Sequence, residues 1–192
     1  MRHASSLLLA LAVLLSACRS ATLSGTDLGK QAAPDFTLID GPTGQVVSLS
    51  SLRSKVVVLS FLYTACPDTC PLTAEKLRNA RDTLGTERVD LALLAVSVAP
   101  DRDTPSATRV FLADHRLTGA MRFLIGDRAS LAAVWARYGI YAEPQGQGFV
   151  AHIDAIFLID RQGRARALEH SDVEVDTLVQ DLRILLGESR LF

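Results

Sequence analysis

Two cysteines, Cys66 and Cys70, are the residues of this sequence best suited to chemistry. They lie four positions apart in the stretch Y-T-A-C-P-D-T-C-P-L-T, and a proline follows each of them. Such a pair is able to form a structural disulfide, act as a redox couple or supply two thiolates to a soft metal ion. A thioredoxin-type motif has two residues between its cysteines and this one has three. The motif by itself therefore leaves all three interpretations open.

The spacing of Cys66 and Cys70 suits both a disulfide and a shared metal ion. In a helical or nearly helical segment, residues i and i+4 face the same side with Cα atoms about 6 Å apart, within the range of a disulfide. Pro71 is expected at the first helical position, which places Cys70 at the helix N-terminus, where free N–H groups favour a thiolate. Pro67 and Pro71 also restrict the cysteine before each of them. The pair is thus held stiffly, for exchange or for ligation.

Two thiolates alone are able to hold Cu(I), which is a soft ion. A stable copper site usually needs a third donor, and imidazole suits copper in either oxidation state. The chain has four histidines. His3 belongs to an N-terminal leader, and His115 and His170 have charged or polar neighbours typical of surface residues. His152 follows a glycine-containing loop and begins an apolar segment, so it is the candidate third donor. A lone histidine at the start of a strand is more often structural, and that alternative stays open.

The N-terminal residues predict an export signal. Arg2 is followed by nine consecutive apolar residues ending at Leu15, far fewer than the ~18 needed to span a bilayer. The sequence L-S-A-C ending at Cys18 resembles the lipobox of bacterial lipoproteins. Residues 1–17 are therefore predicted to be a lipoprotein signal peptide and Cys18 to be the lipidated N-terminus. The alternatives are an uncleaved anchor or an ordinary cleaved signal peptide beside an incidental cysteine.

The rest of the chain is predicted to be a tether and one domain. Residues 18–30 are small and polar, as a flexible tether would be, and residues 31–192 form the domain. Removing 17 residues from 192 leaves 175, enough to bury a proper core without a disulfide staple. The formal net charge is −1 and no basic stripe is visible, which argues against a nucleic-acid partner.

The elements that must position the cysteines alternate between strands and helices. A hairpin is predicted at residues 36–49, and a strand buried on both faces at residues 55–63, three residues before Cys66. Helices are then expected at 71–84, 105–117, 128–138 and 174–186, and strands at 91–98, 123–125, 152–160 and 164–168. In the first helix, Leu72, Leu77 and Leu84 are expected on the buried face.

This order predicts an α/β fold of thioredoxin-like type. A mixed sheet is flanked by helices, with an N-terminal β-hairpin added and one helix inserted. Ligand groups in such sheets collect at the carboxyl ends of central strands, and the cysteine motif lies at such an end.

These residues resemble the Sco/SenC family, membrane-tethered copper chaperones with a thioredoxin-like fold. The resemblance rests on C-P-D-x-C-P after a buried strand and on a single histidine before the strand F-L-I-D. Further matching stretches are residues 34–38, residues 97–105 and Gly163. The resemblance implies that Cys66, Cys70 and His152 bind one copper ion per chain, as Cu(I) or Cu(II).

Two positions depart from the family's pattern. Ala99 stands where the family commonly has the aspartate of S-V-D-P, and Ala151 stands where it often has the aspartate of D-H-S. Neither position is a ligand, but both remove a carboxylate from the surroundings that orient and tune a metal. Asp68, Asp101 or Asp154 is available to supply a compensating oxygen.

Two functions follow from these residues and from the resemblance. The first is a metallochaperone that delivers copper to the dinuclear copper centre of cytochrome c oxidase subunit II or to another acceptor, with a Cys66–Cys70 disulfide preventing metal loading. The second is an extracytoplasmic thiol–disulfide oxidoreductase that reduces cysteines of a partner such as that subunit. A peroxidase and a domain with a passive disulfide are weaker alternatives, because the first needs one activated cysteine and the second does not need His152.

The resemblance also implies a location and partners. The protein is expected on the extracytoplasmic, periplasmic side of a bacterial membrane, held there by its lipid anchor. Another copper chaperone and a thiol reductant are the further partners that it implies.

Overall fold

A mixed β-sheet forms the centre of the computed structural model, which describes residues 22–144 and 150–188. Its strands are β1 (Thr26–Asp27), β2 (Thr37–Asp40), β3 (Val46–Ser48), β4 (Val56–Leu62), β5 (Leu91–Ser97), β6 (Met121–Ile125), β9 (Ile156–Ile159) and β10 (Ala165–Glu169). A separate hairpin pairs β7 (Ala142–Pro144) with β8 (Val150–His152). The order in the sheet is β1-β10-β9-β4-β5-β6-β2-β3. The neighbours β4, β5 and β6 run parallel, and the other pairs are antiparallel.

Helices flank this sheet. They are α1 (Thr69–Thr83), α2 (Pro105–Asp114), α3 (Arg128–Tyr138) and α4 (Val175–Gly187), with short 3₁₀ turns at Leu49–Leu52 and Gly85–Asp90. Helix α1 packs on α4, and Arg78 of α1 donates a hydrogen bond to the carbonyl of His115 just after α2. The predicted α/β fold, a mixed sheet flanked by helices, is confirmed. No helix in the described part of the chain is long and apolar enough to cross a membrane.

Strand β4 is buried along its whole length, as its sequence V-V-V-L-S-F-L predicts. A parallel strand covered on both faces tolerates few polar side chains. Its one polar residue, Ser60, satisfies its hydroxyl by donating to the carbonyl of Leu94 at 3.1 Å. Phe61 packs against Tyr138 of α3 and Phe157 of β9. The cysteine motif follows the carboxyl end of this rigid strand.

The strand predicted at residues 152–160 is broken in the structure. Strand β8 ends at His152 and pairs with β7, whereas β9 begins at Ile156 and pairs with β4 and β10. Between them the N–H of Ile153 donates to the carbonyl of Tyr141 at 3.1 Å, which extends the small hairpin. His152 therefore lies on a hairpin outside the central sheet.

Two helices also differ from their predicted positions. Helix α1 begins at Thr69 instead of Pro71, because the Asp68 side chain accepts the Thr69 N–H and caps the helix earlier. Helix α2 ends at Asp114 instead of residue 117. Leu72 was expected on the buried face of α1, but its side chain is exposed, because it lies outside the buried stripe of this helix. The stripe is formed by Cys70, Thr73, Ala74, Leu77 and Ala80.

The predicted boundary between tether and domain needs a correction. Residues 18–30 were assigned to a flexible tether, yet β1 pairs with β10, and Leu28 N–H donates to the carbonyl of Arg166 at 3.1 Å. The backbone N–H and the hydroxyl of Ser24 both donate to the carboxylate of Asp181 in α4. These contacts attach residues 24–28 to the sheet edge. The predicted signal peptide, residues 1–17, and the predicted lipidation site, Cys18, lie outside the described residues.

A buried pair of carboxyl groups lies beneath this N-terminal segment. Asp181 is fully buried and the Glu169 side chain beside it is 8% exposed. Gly25 covers them closely, since a Cβ atom there would stand 2.3 Å from Glu169 Oε1. Burial, followed by the hydrogen bond with Asp181, raises the pKa of Glu169 to about 7. Glu169 is therefore protonated in the folded protein under mildly acidic conditions.

This raised pKa predicts a pH-dependent stability. Glu169 has an ordinary pKa of 4.5 and a folded-state pKa of about 7, so the folded protein binds more protons between these values. Its contribution to the free energy of unfolding is fully present below about pH 4.5 and is lost as the pH rises through about 7. We expect urea unfolding midpoints of Glu169→Gln to fall less steeply than those of the unmodified chain across this window. Equal slopes for the two proteins would contradict the assignment.

Candidate metal centre

The cysteine motif connects the end of β4 to the start of α1. Cys66 lies in the connection and Cys70 lies in the first turn of the helix, and both are buried free thiols. The carboxyl ends of parallel strands β4 and β5 meet at this edge of the sheet, which is the edge where such folds place ligand groups.

The first turn of α1 satisfies its exposed N–H groups with the motif's own atoms. The Thr69 N–H donates to the Asp68 carboxylate, and the Leu72 N–H donates to the Asp68 carbonyl at 3.3 Å. Between them the Cys70 N–H donates to Cys66 Sγ at 3.3 Å. Pro71 has no N–H that needs a partner. The sulfur of Cys66 therefore acts as part of the helix cap.

This arrangement reverses the expected roles of the two thiols. Cys70 was predicted to be the favoured thiolate, but its hydrogen bond with Cys66 and its burial raise the pKa of Cys70. The same hydrogen bond, together with the backbone N–H groups of Cys70 and Asp68, lowers the pKa of Cys66 to about 5. At neutral pH the pair thus holds one thiolate, on Cys66, and one thiol, on Cys70. The difference arises first from the hydrogen bond between the two cysteine side chains, and the Cys70 N–H in the first turn of α1 adds to it by donating to Cys66.

His152 faces Cys70 from the β7–β8 hairpin. Its Nε2 atom lies 3.9 Å from Cys70 Sγ. Its Nδ1 atom lies 3.1 Å from the carbonyl of Ile153, and a carbonyl only accepts, so Nδ1 carries the proton. In the neutral imidazole this tautomer places the lone pair of Nε2 on the side of the cysteines. A metal-binding histidine typically has this arrangement, with its second nitrogen donating to a carbonyl.

Tyr63 supports His152 from below. Its ring is fully buried and meets the imidazole edge to face, with centroids 5.8 Å apart and planes at 86°. Its hydroxyl accepts the N–H of Val150 at 3.4 Å. This hydrogen bond joins the hairpin to the residue that directly follows β4. Burial raises the pKa of Tyr63 to about 12, so the hydroxyl stays protonated. The sequence analysis did not single out this residue, although it stands three positions before Cys66.

The three predicted donors are brought together but do not yet surround one point. Within residues 22–144 and 150–188, no group of three or more His, Cys, Asp or Glu side chains is already arranged to hold a metal ion. The gap of 3.9 Å between Cys70 Sγ and His152 Nε2 is nevertheless one that a metal bridges. Bonds of about 2.3 Å to sulfur and about 2.0 Å to imidazole nitrogen together slightly exceed it. Two sulfurs and one nitrogen form a donor set that suits a soft ion.

Asp103, two positions before α2, is a buried residue of this edge. In the structure Thr104 caps α2, and Asp103 turns inward. Its carboxylate accepts the N–H and hydroxyl of Thr64, at 2.8 and 2.7 Å, and the hydroxyl of Ser97 at 2.6 Å. Burial raises the pKa of Asp103. The carboxylate thereby fastens the start of the cysteine motif to the end of β5.

The carboxylates considered as substitutes for the missing acidic residues have other partners. Asp68 caps α1, and Asp101 forms an ion pair with Arg128. Asp154 accepts the N–H of Ser171 at 2.7 Å. The two departures from the family pattern lie at the margins of the site. They are Ala99, whose N–H donates to the Ser97 hydroxyl, and Ala151, opposite Glu143 in the hairpin.

The other histidines have separate structural surroundings. His170 is exposed, as predicted, and its Nδ1 atom contacts the carbonyl of Asp154 at 2.6 Å. His115 was predicted to be a solvated surface residue, but its side chain is only 14% exposed. It packs on Phe111 and lies 3.6 Å from the Glu75 carboxylate. His3 lies outside the described residues.

The unequal thiols predict unequal reactivity. Because the pKa of Cys66 is about 5, alkylation of Cys66 in the reduced protein should reach half its maximal rate near pH 5. An ordinary thiol such as glutathione, the control, reaches this point only near pH ~8.5. We expect peptide mapping after limited iodoacetamide treatment at pH 6.5 to show Cys66 modified before Cys70. Modification of Cys70 first, or a midpoint like that of glutathione, would contradict the arrangement.

Comparison with known proteins gives consistent results. The SCO1/SenC family model matches residues 24–187. A protein of Stutzerimonas stutzeri, provisionally named as copper-binding, is 30% identical over 167 residues, which cover 84% of this chain and 80% of that protein.

Solved structures agree with this result. The structure of Bradyrhizobium japonicum ScoI with copper bound is 28% identical, with a TM-score of 0.70, covering 80% of this chain and 99% of that one. The structure of BsSco is described as revealing a disulfide switch in a member of the Sco family of cytochrome c oxidase assembly proteins. It shares the fold at 22% identity, with a TM-score of 0.73 over 86% of this chain and 99% of the other. The fold, the cysteine motif and the match over residues 24–187 together establish that the chain belongs to the SCO1/SenC family.

Proposed function

We propose that this protein binds one copper ion through Cys66, Cys70 and His152 and delivers it to an acceptor protein. The observation that carries the proposal is the position of His152, whose Nε2 faces Cys70 Sγ at 3.9 Å while its Nδ1 contacts the carbonyl of Ile153. A histidine with only a structural role has no need of this orientation. In this proposal the three donors converge on the metal ion when it binds.

The chemistry of the donors favours copper. Thiolates select soft ions such as Cu(I), and imidazole also binds Cu(II), so the set accommodates both oxidation states. Cys66 is already a thiolate at neutral pH, and metal binding displaces the proton of Cys70. A relative provisionally named as copper-binding and a structural neighbour with copper bound support this choice.

The acceptor we propose is the dinuclear copper centre of cytochrome c oxidase subunit II. The description of the Sco family as cytochrome c oxidase assembly proteins supports it. Three protein donors leave one side of the ion open, so a ligand of the acceptor is able to bind before the donors here release the metal. In the proposed pathway, another copper chaperone loads the site.

The redox state of the cysteines would control this loading. Oxidation of the Cys66 thiolate and the Cys70 thiol to a disulfide releases one proton and passes two electrons to an oxidant of the compartment, and it removes both sulfur ligands. A thiol reductant returns the two electrons and restores the site.

We further propose that residues 1–17 are removed and that a lipid on Cys18 anchors the domain on the periplasmic side of a bacterial membrane. The attachment of Ser24 to Asp181 makes the free part of the tether short. The chain from Cys18 to Ser24 spans at most ~20 Å when fully extended. An anchored domain would therefore remain close to the membrane surface.

A second candidate function is thiol–disulfide exchange with a partner. The low pKa of Cys66 favours it, because a thiolate attacks a disulfide and Cys70 is placed to resolve the mixed disulfide. The two functions are compatible, and His152 separates them, since dithiol exchange does not require an imidazole ligand.

Copper loading tests the proposed site. We expect the reduced full chain in detergent to bind one equivalent of Cu(II) and to show an intense thiolate-to-copper absorption band. His152→Ala should weaken or remove the band and lower the affinity by about tenfold or more, since a third donor is lost. His170→Ala, a surface histidine on the neighbouring loop, serves as the matched control and should keep both properties.

The outcomes distinguish the two functions. No band and no stoichiometric copper in the unmodified chain would contradict the copper site. Disulfide reductase activity that survives His152→Ala and is lost in Cys66→Ser and Cys70→Ser would favour dithiol exchange.

A further inference from the structure

Three exposed apolar side chains lie on the two segments that carry the candidate metal donors: Leu72, Tyr141 and Ile153, which we call the site-edge patch. Their exposed fractions are 63%, 56% and 44%. We propose that the site-edge patch is a docking surface for the protein that accepts the copper, and that acidic residues beside it select an acceptor with a basic rim. This inference rests on the proposed function.

The patch is carried by the same two segments that carry the metal donors. Leu72 lies in the first turn of α1, two positions after Cys70. Ile153 follows His152 directly, and its N–H donates to the carbonyl of Tyr141 at 3.1 Å, so these two residues lie together at the base of the hairpin. The contact between Cys70 and His152 brings the two segments side by side. A partner that takes the metal from these donors must approach the two segments that carry these side chains.

The distribution of exposed apolar residues is uneven. In the described residues the large apolar side chains that are exposed are Ile39, Val46, Leu72, Val89, Val110, Tyr141 and Ile153. Three of the seven form the site-edge patch, whereas the others lie on β2, β3, α2 and the turn before β5. Burying side chains of this size against a partner is favourable because it removes apolar surface from water. Apolar groups left exposed around one site mark an interaction surface.

The charges on these segments have one sign. Asp68 and Glu143 are exposed acidic residues, and residues 63–72 and 141–154 contain no lysine or arginine. Lys76, the nearest lysine along α1, donates a hydrogen bond to the carbonyl of Ser171. An apolar centre with an acidic rim is complementary to a surface with an apolar centre and a basic rim, and complementary charges speed association and select the partner.

Copper transfer from the loaded full chain in detergent tests this inference. The probe is the soluble copper-binding domain of the host's cytochrome c oxidase subunit II, and the readout is the transfer rate by stopped-flow absorption. Leu72→Ser and Ile153→Ser should each slow transfer by about tenfold, as expected for central contacts of an interface. Glu143→Gln should reduce the dependence of the rate on salt. Val46→Ser and Val89→Ser remove equally exposed apolar side chains elsewhere and should leave the rate unchanged.

A small copper chelator, used in place of the probe, distinguishes a failure of the docking surface from a failure of the proposed function. Removal of copper by the chelator should proceed at the same rate in all variants, because it does not need the docking surface. Equal transfer rates to the probe in every variant would overturn the docking surface and leave the proposed function intact. An equal decrease of the transfer rate in Val89→Ser, or slower release of copper to the chelator in the patch variants, would also overturn the docking surface. No transfer from the unmodified chain contradicts the proposed function, and this inference with it.

Discussion

The hydrogen bond from the Cys70 N–H to Cys66 Sγ is the contact on which the site depends. It closes the turn between the two cysteines and supplies the sulfur that the open end of α1 needs. The hydrogen bond between the two cysteine side chains, and after it this N–H contact, lower the pKa of Cys66 to about 5, and the proton stays on Cys70. A pair with one thiolate and one thiol is ready for either ligation or disulfide formation, so the capping contact of a helix also contributes to the chemistry.

The rest of the fold holds this turn beside His152, the third candidate metal donor. Strand β4 is buried on both faces, which fixes the position of its end. Two residues after this end, Thr64 is joined through Asp103 to Ser97 at the end of β5. Tyr63 supports the hairpin that carries His152. The donors thus come from two segments, one rigidly attached to the sheet and one joined to it by few contacts.

The parts of this structure that were predictable from the sequence depend on local signals. Asp127 and Gly139 mark both ends of α3 through a cap and a left-handed turn, and its predicted bounds are the observed ones. The apolar run from residue 152 to residue 160 gave no sign of a break, because its two parts pair with different strands. The inward turn of Asp103 depends on donors from Thr64 and Ser97, and the first of these is 39 positions away. Residue types therefore identified the candidate donors, but tertiary contacts decided how they are held.

The central claim is that one copper ion is held by two sulfurs and one imidazole nitrogen. X-ray absorption spectroscopy of the full chain loaded with one equivalent of Cu(I) measures this directly. The account predicts a first shell of two sulfur atoms at about 2.3 Å and one nitrogen at about 2.0 Å, with the outer-shell scattering typical of imidazole. A shell of oxygen or nitrogen alone, a single sulfur, or two sulfurs without imidazole scattering would contradict it.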